Sequence, residues 1–142
     1  MTPFRRYDDL KVGDLFPPEP LAFVVDRHVV DRFLAATGVQ SGLYDGPDGP
    51  DGARRAPSMI ASVYLIELLK ARRSPPGGIH AKQAIRFHRP AMVGERLSIQ
   101  ARVVDKYVRK ERPYMVAQFE ARGSDGSLVS SGLITSIWGK DQ

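Results

Sequence analysis

The sequence predicts an α+β fold in which a curled antiparallel sheet wraps one buried helix. Three observations carry this. The stretch Pro57-Ser-Met-Ile-Ala-Ser-Val-Tyr-Leu-Ile-Glu-Leu-Leu-Lys70 is apolar on nearly every side of a helical wheel, and a helix of that kind must be enclosed. At about 14 residues it is too short to cross a bilayer. Everything after Gly78 alternates in strand-length runs divided by turns, which is the pattern of antiparallel sheet. The chain of 142 residues is read as a single domain, 1–142, with one core.

The elements follow in order. Residues 1–20 hold Lys11-Val-Gly-Asp-Leu-Phe16 and Pro17-Pro-Glu-Pro20, and the prolines predict an extended or turning lead-in without regular pairing. Leu21-Ala-Phe-Val-Val25 is a short apolar strand. Asp26 is an N-cap, Val29, Val30, Phe33 and Leu34 recur at helical spacing, and Gly38 stops the helix. The near-repeat Asp-Gly-Pro within Tyr44–Gly52 is turn chemistry, so residues 39–56 are expected to form a loop. Its aspartates lack the spacing and terminal Glu of a calcium-binding EF-hand loop.

Pro57 suits the first turn of the central helix, and Ser58 places a hydroxyl near its exposed N–H groups. The basic end Lys70-Ala-Arg-Arg73 complements the C-terminal dipole, and Ser74-Pro-Pro-Gly-Gly78 breaks the chain. Ile79, Ala81, Gln83, Ile85 and Phe87 alternate against His80, Lys82, Ala84, Arg86 and His88. Strands are expected over Leu97–Val104, Tyr114–Ala121 and Leu128–Trp138, with turns at 89–94 and 123–126. Strand following strand predicts a meander, and the whole predicts a hotdog arrangement. An open sheet edge then favours a dimer.

Composition narrows the functional classes. Without cysteine there is no disulfide framework and no thiolate chemistry. The first residues carry no apolar signal-peptide core and no run is long enough to span a membrane, so a cytoplasmic chain is expected. The net charge of +5 suits an anionic cofactor or an acidic carrier protein. Its basic residues are dispersed and carry no nucleic-acid-binding motif, so nucleic acid is not the expected partner. Three histidines without clustered carboxylates give no metal site.

Three stretches resemble the MaoC-like hotdog proteins, the group of (R)-specific enoyl-CoA hydratases and 3-hydroxyacyl-thioester dehydratases, in their N-terminal-type (FAS1-like) domain. They are Val12-Gly-Asp14, Phe33-Leu-Ala-Ala-Thr-Gly38 and the segment from Ile79 to Leu97, which contains Gln83, Phe87, Arg89-Pro90 and Gly94-Glu95. The resemblance spans roughly 10–138. It implies that the N-terminus of the central helix polarises an acyl-thioester carbonyl by a backbone N–H. It also implies an Asp and a His acting as general acid and base in the segment before the loop.

Those two groups are missing. After Thr37-Gly38, the position of the family's Asp is Val39, and the position of its His is Tyr44. Ser41 and Gly42 stand where the motif has Asn and Pro. Valine accepts no proton, and a phenol is a poor base at neutral pH. The reading is therefore a dehydratase/hydratase component that binds substrate or serves as partner to a catalytic subunit, as homodimer or heterodimer, with no cofactor. The alternative is a thioesterase or other thioester-processing enzyme on the same fold.

Candidate catalytic residues are His80, Tyr44 and Glu67, weighed against a structural histidine, a loop tyrosine and a solvent-facing glutamate. Candidate substrate-binding residues are Pro57, Ser58 and Met59 for the thioester carbonyl, with Lys82, Arg86 and Arg89 for coenzyme A phosphates or as plain rim charges. His28 reads as a surface residue, His88 as a turn residue and Trp138 as core or interface packing.

Overall fold

The structure, a computed structural model, describes residues 3–44 and 54–139. A five-stranded antiparallel sheet in the order β1-β3-β4-β5-β2 packs against a central helix. The strands are β1 (Leu15–Val24), β2 (Ile79–Phe87), β3 (Arg96–Arg109), β4 (Arg112–Arg122) and β5 (Leu128–Ile137). The helices are α1 (Arg27–Thr37) and α2 (Ala61–Arg72), the latter entered through a 3₁₀ turn, Ser58–Ile60. This is the expected hotdog arrangement. The part of the expected loop between Tyr44 and Arg54 lies outside the described residues.

The core sits between α2 and the inner sheet face. Ile60, Ala61, Tyr64, Leu65 and Leu68 meet Leu97, Ile99, Val103, Met115, Phe119 and Ile134, all essentially inaccessible. Burying a large aliphatic or aromatic side chain contributes roughly 1.5–3 kcal/mol, so these residues supply the main stabilisation. Composition calls for enclosure by the same chain or by a partner, and within this chain the helix is not enclosed all round. Met59 is 46 % and Ile66 56 % exposed, because one sheet covers one side of a helix.

Other expectations are corrected. The lead-in prolines do not prevent a strand: Pro17, Pro18 and Pro20 lie inside β1. They are tolerated because β1 is an edge strand bonded only to β3, and its register shifts between Phe16 and Leu21. The strands after Gly78 are not a simple meander. β3, β4 and β5 follow one another, but β2 crosses to the far edge and pairs with β5. β3 and β4 also run further than their apolar alternation. A two-residue turn joins them at Lys110 and Glu111, with φ of 50° and 62°. That is the backbone of a type I′ hairpin, but neither residue is the Asn or Gly that signals one.

The caps of α1 came out as read, whereas the Ser58 hydroxyl makes no capping bond at the central helix. The Asp26 carboxylate accepts from the His28 N–H at 2.7 Å, and Gly38 closes α1 in the left-handed conformation. Val12-Gly-Asp14 is a turn fastened to β3, with Gly13 N–H donating to Val103 O at 2.7 Å and Val103 N–H to Asp14 O at 2.9 Å.

Candidate functional site

The start of the central helix is held by backbone pairing. Ala56 N–H donates to Ala91 O at 2.8 Å, and Val93 N–H to Arg54 O at 2.7 Å. Extended Pro57 then turns the chain, and Ile60 N–H bonds Pro57 O at 2.9 Å. No side chain caps this turn. The N–H groups of Ser58 and Met59 are left without an acceptor among the described residues. Such groups, at the positive end of a helix dipole, suit a developing oxyanion.

Beside α1, Thr37 Oγ1 donates to Phe33 O at 2.8 Å, and the chain passes through Val39, Gln40 and Ser41 into a 3₁₀ turn, Gly42–Tyr44. Arg54 fastens this segment. Its Nε donates to Tyr44 O at 2.6 Å, and its Nη2 pairs with Asp31 at 2.7 Å. Val39, Ser41, Asp31 and Arg54 line an open cavity of about 550 Å³. Its one carboxylate, Asp31, is engaged by Arg54, and no histidine lines it among the described residues. The described residues of this arrangement can hold a ligand, but none of those lining it is a free proton-transfer group.

The three candidate catalytic residues are not brought together. Tyr44 is beside Arg54. Glu67 is exposed on α2 and pairs with Lys70 at 3.3 Å. His80 lines a groove with Lys70 and Arg72, and Lys70 is roughly 18 Å along the helix from Ser58 at 1.5 Å per residue. His80 also changes face. The expected alternation set it opposite Gln83, Ile85 and Phe87, but the register shifts between His80 and Lys82. His80 pairs with buried Ser136, Gln83 with Ile134 and Ile85 with Gly132, so all three share the inner face. The bulge residue, Ala81, accounts for the difference.

Lys82 and Arg86 pair with Thr135 and Ser131, on the outer face. Arg89 is engaged elsewhere: its Nη1 and Nη2 grip both Glu95 oxygens at 3.0 and 2.5 Å, and its Nε donates to Ser127 at 3.0 Å. The Arg89 bond holds the Glu95 carboxyl below its ordinary range. His28 is exposed, His88 bonds Ser131 at 2.8 Å, and Trp138 is buried in edge-to-face contact with Tyr7. Among the described residues no three potential metal ligands cluster, and no helix is long and apolar enough to cross a membrane.

Two residues carry more than the sequence reading gave them. Arg54 is one of the dispersed basic residues, and Arg72 belongs to the basic end of the central helix; neither was a candidate site residue. Arg54 organises the α1 end of the cavity, and its partners Asp31 and Tyr44, both distant in sequence, give it that role. Arg72 is 8 % exposed, and burial pushes its guanidinium down to about 10. A signal for it was present: Leu65, Leu68 and Arg72 fall at i, i+3 and i+7, so Arg72 continues the buried stripe of α2.

No family model matches the sequence, and no curated protein matches it. Solved structures do. The monoamine oxidase regulatory protein from Archaeoglobus superposes with a TM-score of 0.82 at 19 % identity, over 99 % of this chain and 100 % of that one. The (R)-hydratase from A. caviae involved in PHA biosynthesis gives 0.77 at 19 % identity, over 92 % and 98 %. The C-terminally truncated HadBC complex, a 3R-hydroxyacyl-ACP dehydratase from Mycobacterium tuberculosis, gives 0.76 at 19 % identity, over 89 % and 96 %. Over nearly its whole length, the chain has the hotdog fold of the MaoC-like dehydratases and (R)-hydratases.

Proposed function

We propose that this chain is a MaoC-like member of the acyl-thioester dehydratase/hydratase family that binds the acyl thioester and works beside a catalytic hotdog partner. One juxtaposition carries the reading. The uncapped helix start at Ser58 and Met59 offers N–H groups to a thioester carbonyl, while Val39 and Tyr44 stand where the hydratases have Asp and His. Binding machinery is kept and proton-transfer machinery is lost. The open edge of β2 and the exposed Met59 and Ile66 support a partner, since an unpaired strand edge invites another strand. One of the similar structures is itself a complex, HadBC.

The test is hydration of crotonyl-CoA by the purified chain alone and mixed with a catalytic MaoC-like subunit, together with calorimetric titration of the chain with acyl-CoA. Expected are saturable binding, no turnover by the lone chain, and co-migration with the catalytic subunit on size exclusion. Robust turnover by the lone chain overturns the partner reading. In the thioesterase reading, His80 or Glu67 would activate water. It is rejected if purified protein releases no free thiol from acyl-CoA, or if His80→Ala and Glu67→Ala both leave the release intact.

A further inference from the structure

At the opposite end of α2 from Ser58, a groove of about 490 Å³ opens between the helix end, the start of β2 and the N-terminal segment. Its floor is Arg72. The Arg72 Nε donates to Ser74 Oγ at 2.6 Å and its Nη1 to Ser136 Oγ at 3.1 Å. The guanidinium lies 4.9 Å from the centre of the Trp138 ring. Both hydroxyl partners are uncharged, and no carboxylate of the described residues is within ion-pair distance.

A buried charge without a counter-charge is unfavourable, and stacking on an aromatic ring offsets only part of that. The two serines instead fix the plane of the guanidinium. A held planar fork recognises a carboxylate or phosphate in two-point fashion. The fixed charges on its walls, Lys70 and Arg73, are positive, His80 adds a ring nitrogen, and no described carboxylate lines the groove; Lys70 is also paired with Glu67 at 3.3 Å. The remaining wall is apolar, with Leu69 and Phe4.

We propose that this groove is an oxyanion-binding site, taking a phosphate or carboxylate group carried on a short apolar stem. The buried guanidinium meets the head group, the rim cations attract it, and Leu69 and Phe4 cover the stem. The site is separate from the helix start and does not depend on the thioester reading.

The experiment is calorimetric titration of the full chain at constant ionic strength with hexyl phosphate, hexanoate and inorganic phosphate. Saturable binding of hexyl phosphate or hexanoate is expected, tighter than that of inorganic phosphate because the stem adds apolar contact. The preferred head group identifies which oxyanion the site takes. Arg72→Gln should weaken binding by about tenfold or more, the loss of a charge-assisted pair. The double variant Lys70→Ala/Arg73→Ala, which removes the rim charges together with the Arg73 bond to Pro3 O, should weaken it by roughly threefold and carries the test if Arg72→Gln does not fold. The proposal is overturned if neither stem-bearing probe saturates by about 10 mM, or if a folded Arg72→Gln variant binds as the parent does. With Arg72→Gln unfolded, unchanged binding by the double variant overturns it too.

Discussion

Replacing Glu95 by Gln tests whether the segment resembling the MaoC-like proteins is a structural clamp. Arg89 and Glu95 face each other across the turn between β2 and β3, and Glu95 Oε1 also accepts from Met92 N–H at 3.1 Å. Arg89 reaches on to Ser127 and lies 3.8 Å from Asp125, so one guanidinium ties this turn to the turn between β4 and β5. The variant keeps the shape and one acceptor but loses the charge and one limb of the fork. A charge-assisted hydrogen bond contributes roughly 1.5–3 kcal/mol. The side chains of Arg89 and Glu95 are 29 % and 16 % exposed, and solvent screens part of that. The expected cost is therefore about 1–2 kcal/mol near neutral pH, a fall in Tm of roughly 3–8 °C for a domain of this size.

The pH dependence gives the sharper check. The folded Glu95 carboxyl is held below its ordinary value, so the unfolded chain takes up its proton first as pH falls. The stabilisation is fully present above the unfolded value and is lost as pH drops through the folded one. Urea unfolding of the parent and Glu95→Gln at pH 7, and stepwise to about pH 3, should show a gap in stability that closes with acid. A gap below about 0.5 kcal/mol at pH 7, the range of an inert surface change, or one independent of pH, refutes the clamp.

Three further outcomes are expected. Gly132→Ala should weaken the attachment of β2, because the added Cβ would meet the Ala84 carbonyl and the Phe119 ring; faster amide exchange in β2 than in β3 would show it. Leu68→Ala should cost about 2–5 kcal/mol by denaturant unfolding, since Leu68 is wholly buried and its loss leaves a cavity. Arg72→Met should change stability by less than about 1 kcal/mol, or raise it, because an apolar chain of similar length removes an unpaired buried charge; a loss above about 2 kcal/mol would mean that the two serine bonds outweigh the desolvation.

The fold was legible where local chemistry decides it. Asp26, Gly38 and the apolar run at 57–70 gave the helices, and period-two runs gave the strands after Gly78. What escaped was decided by position in the sheet. Pro17, Pro18 and Pro20 are compatible with a strand only because β1 is an edge, and no local pattern reveals an edge. The pairing of β2 with β5 is a long-range choice. At the candidate site, reading Val39 and Tyr44 as replacements for an Asp and a His rests on the resemblance. The partners of Arg54 and Arg89 were not legible, because Asp31 and Ser127 come from distant parts of the chain. The burial of Arg72 was not read, because a charged residue on a buried stripe contradicts its own type.

The extra residue at Ala81 separates β2 into two independently adjustable pieces. Past the bulge, the pairing from Lys82 to Phe87 fixes the sheet. Before it, Ile79 and His80 determine what faces the groove. The bulge absorbs one residue without changing a pair: with Ala81 removed, His80 would still face Ser136 and Lys82 would still face Thr135. The side chain that His80 turns to the groove and the register that holds the sheet from Lys82 onward are therefore set separately.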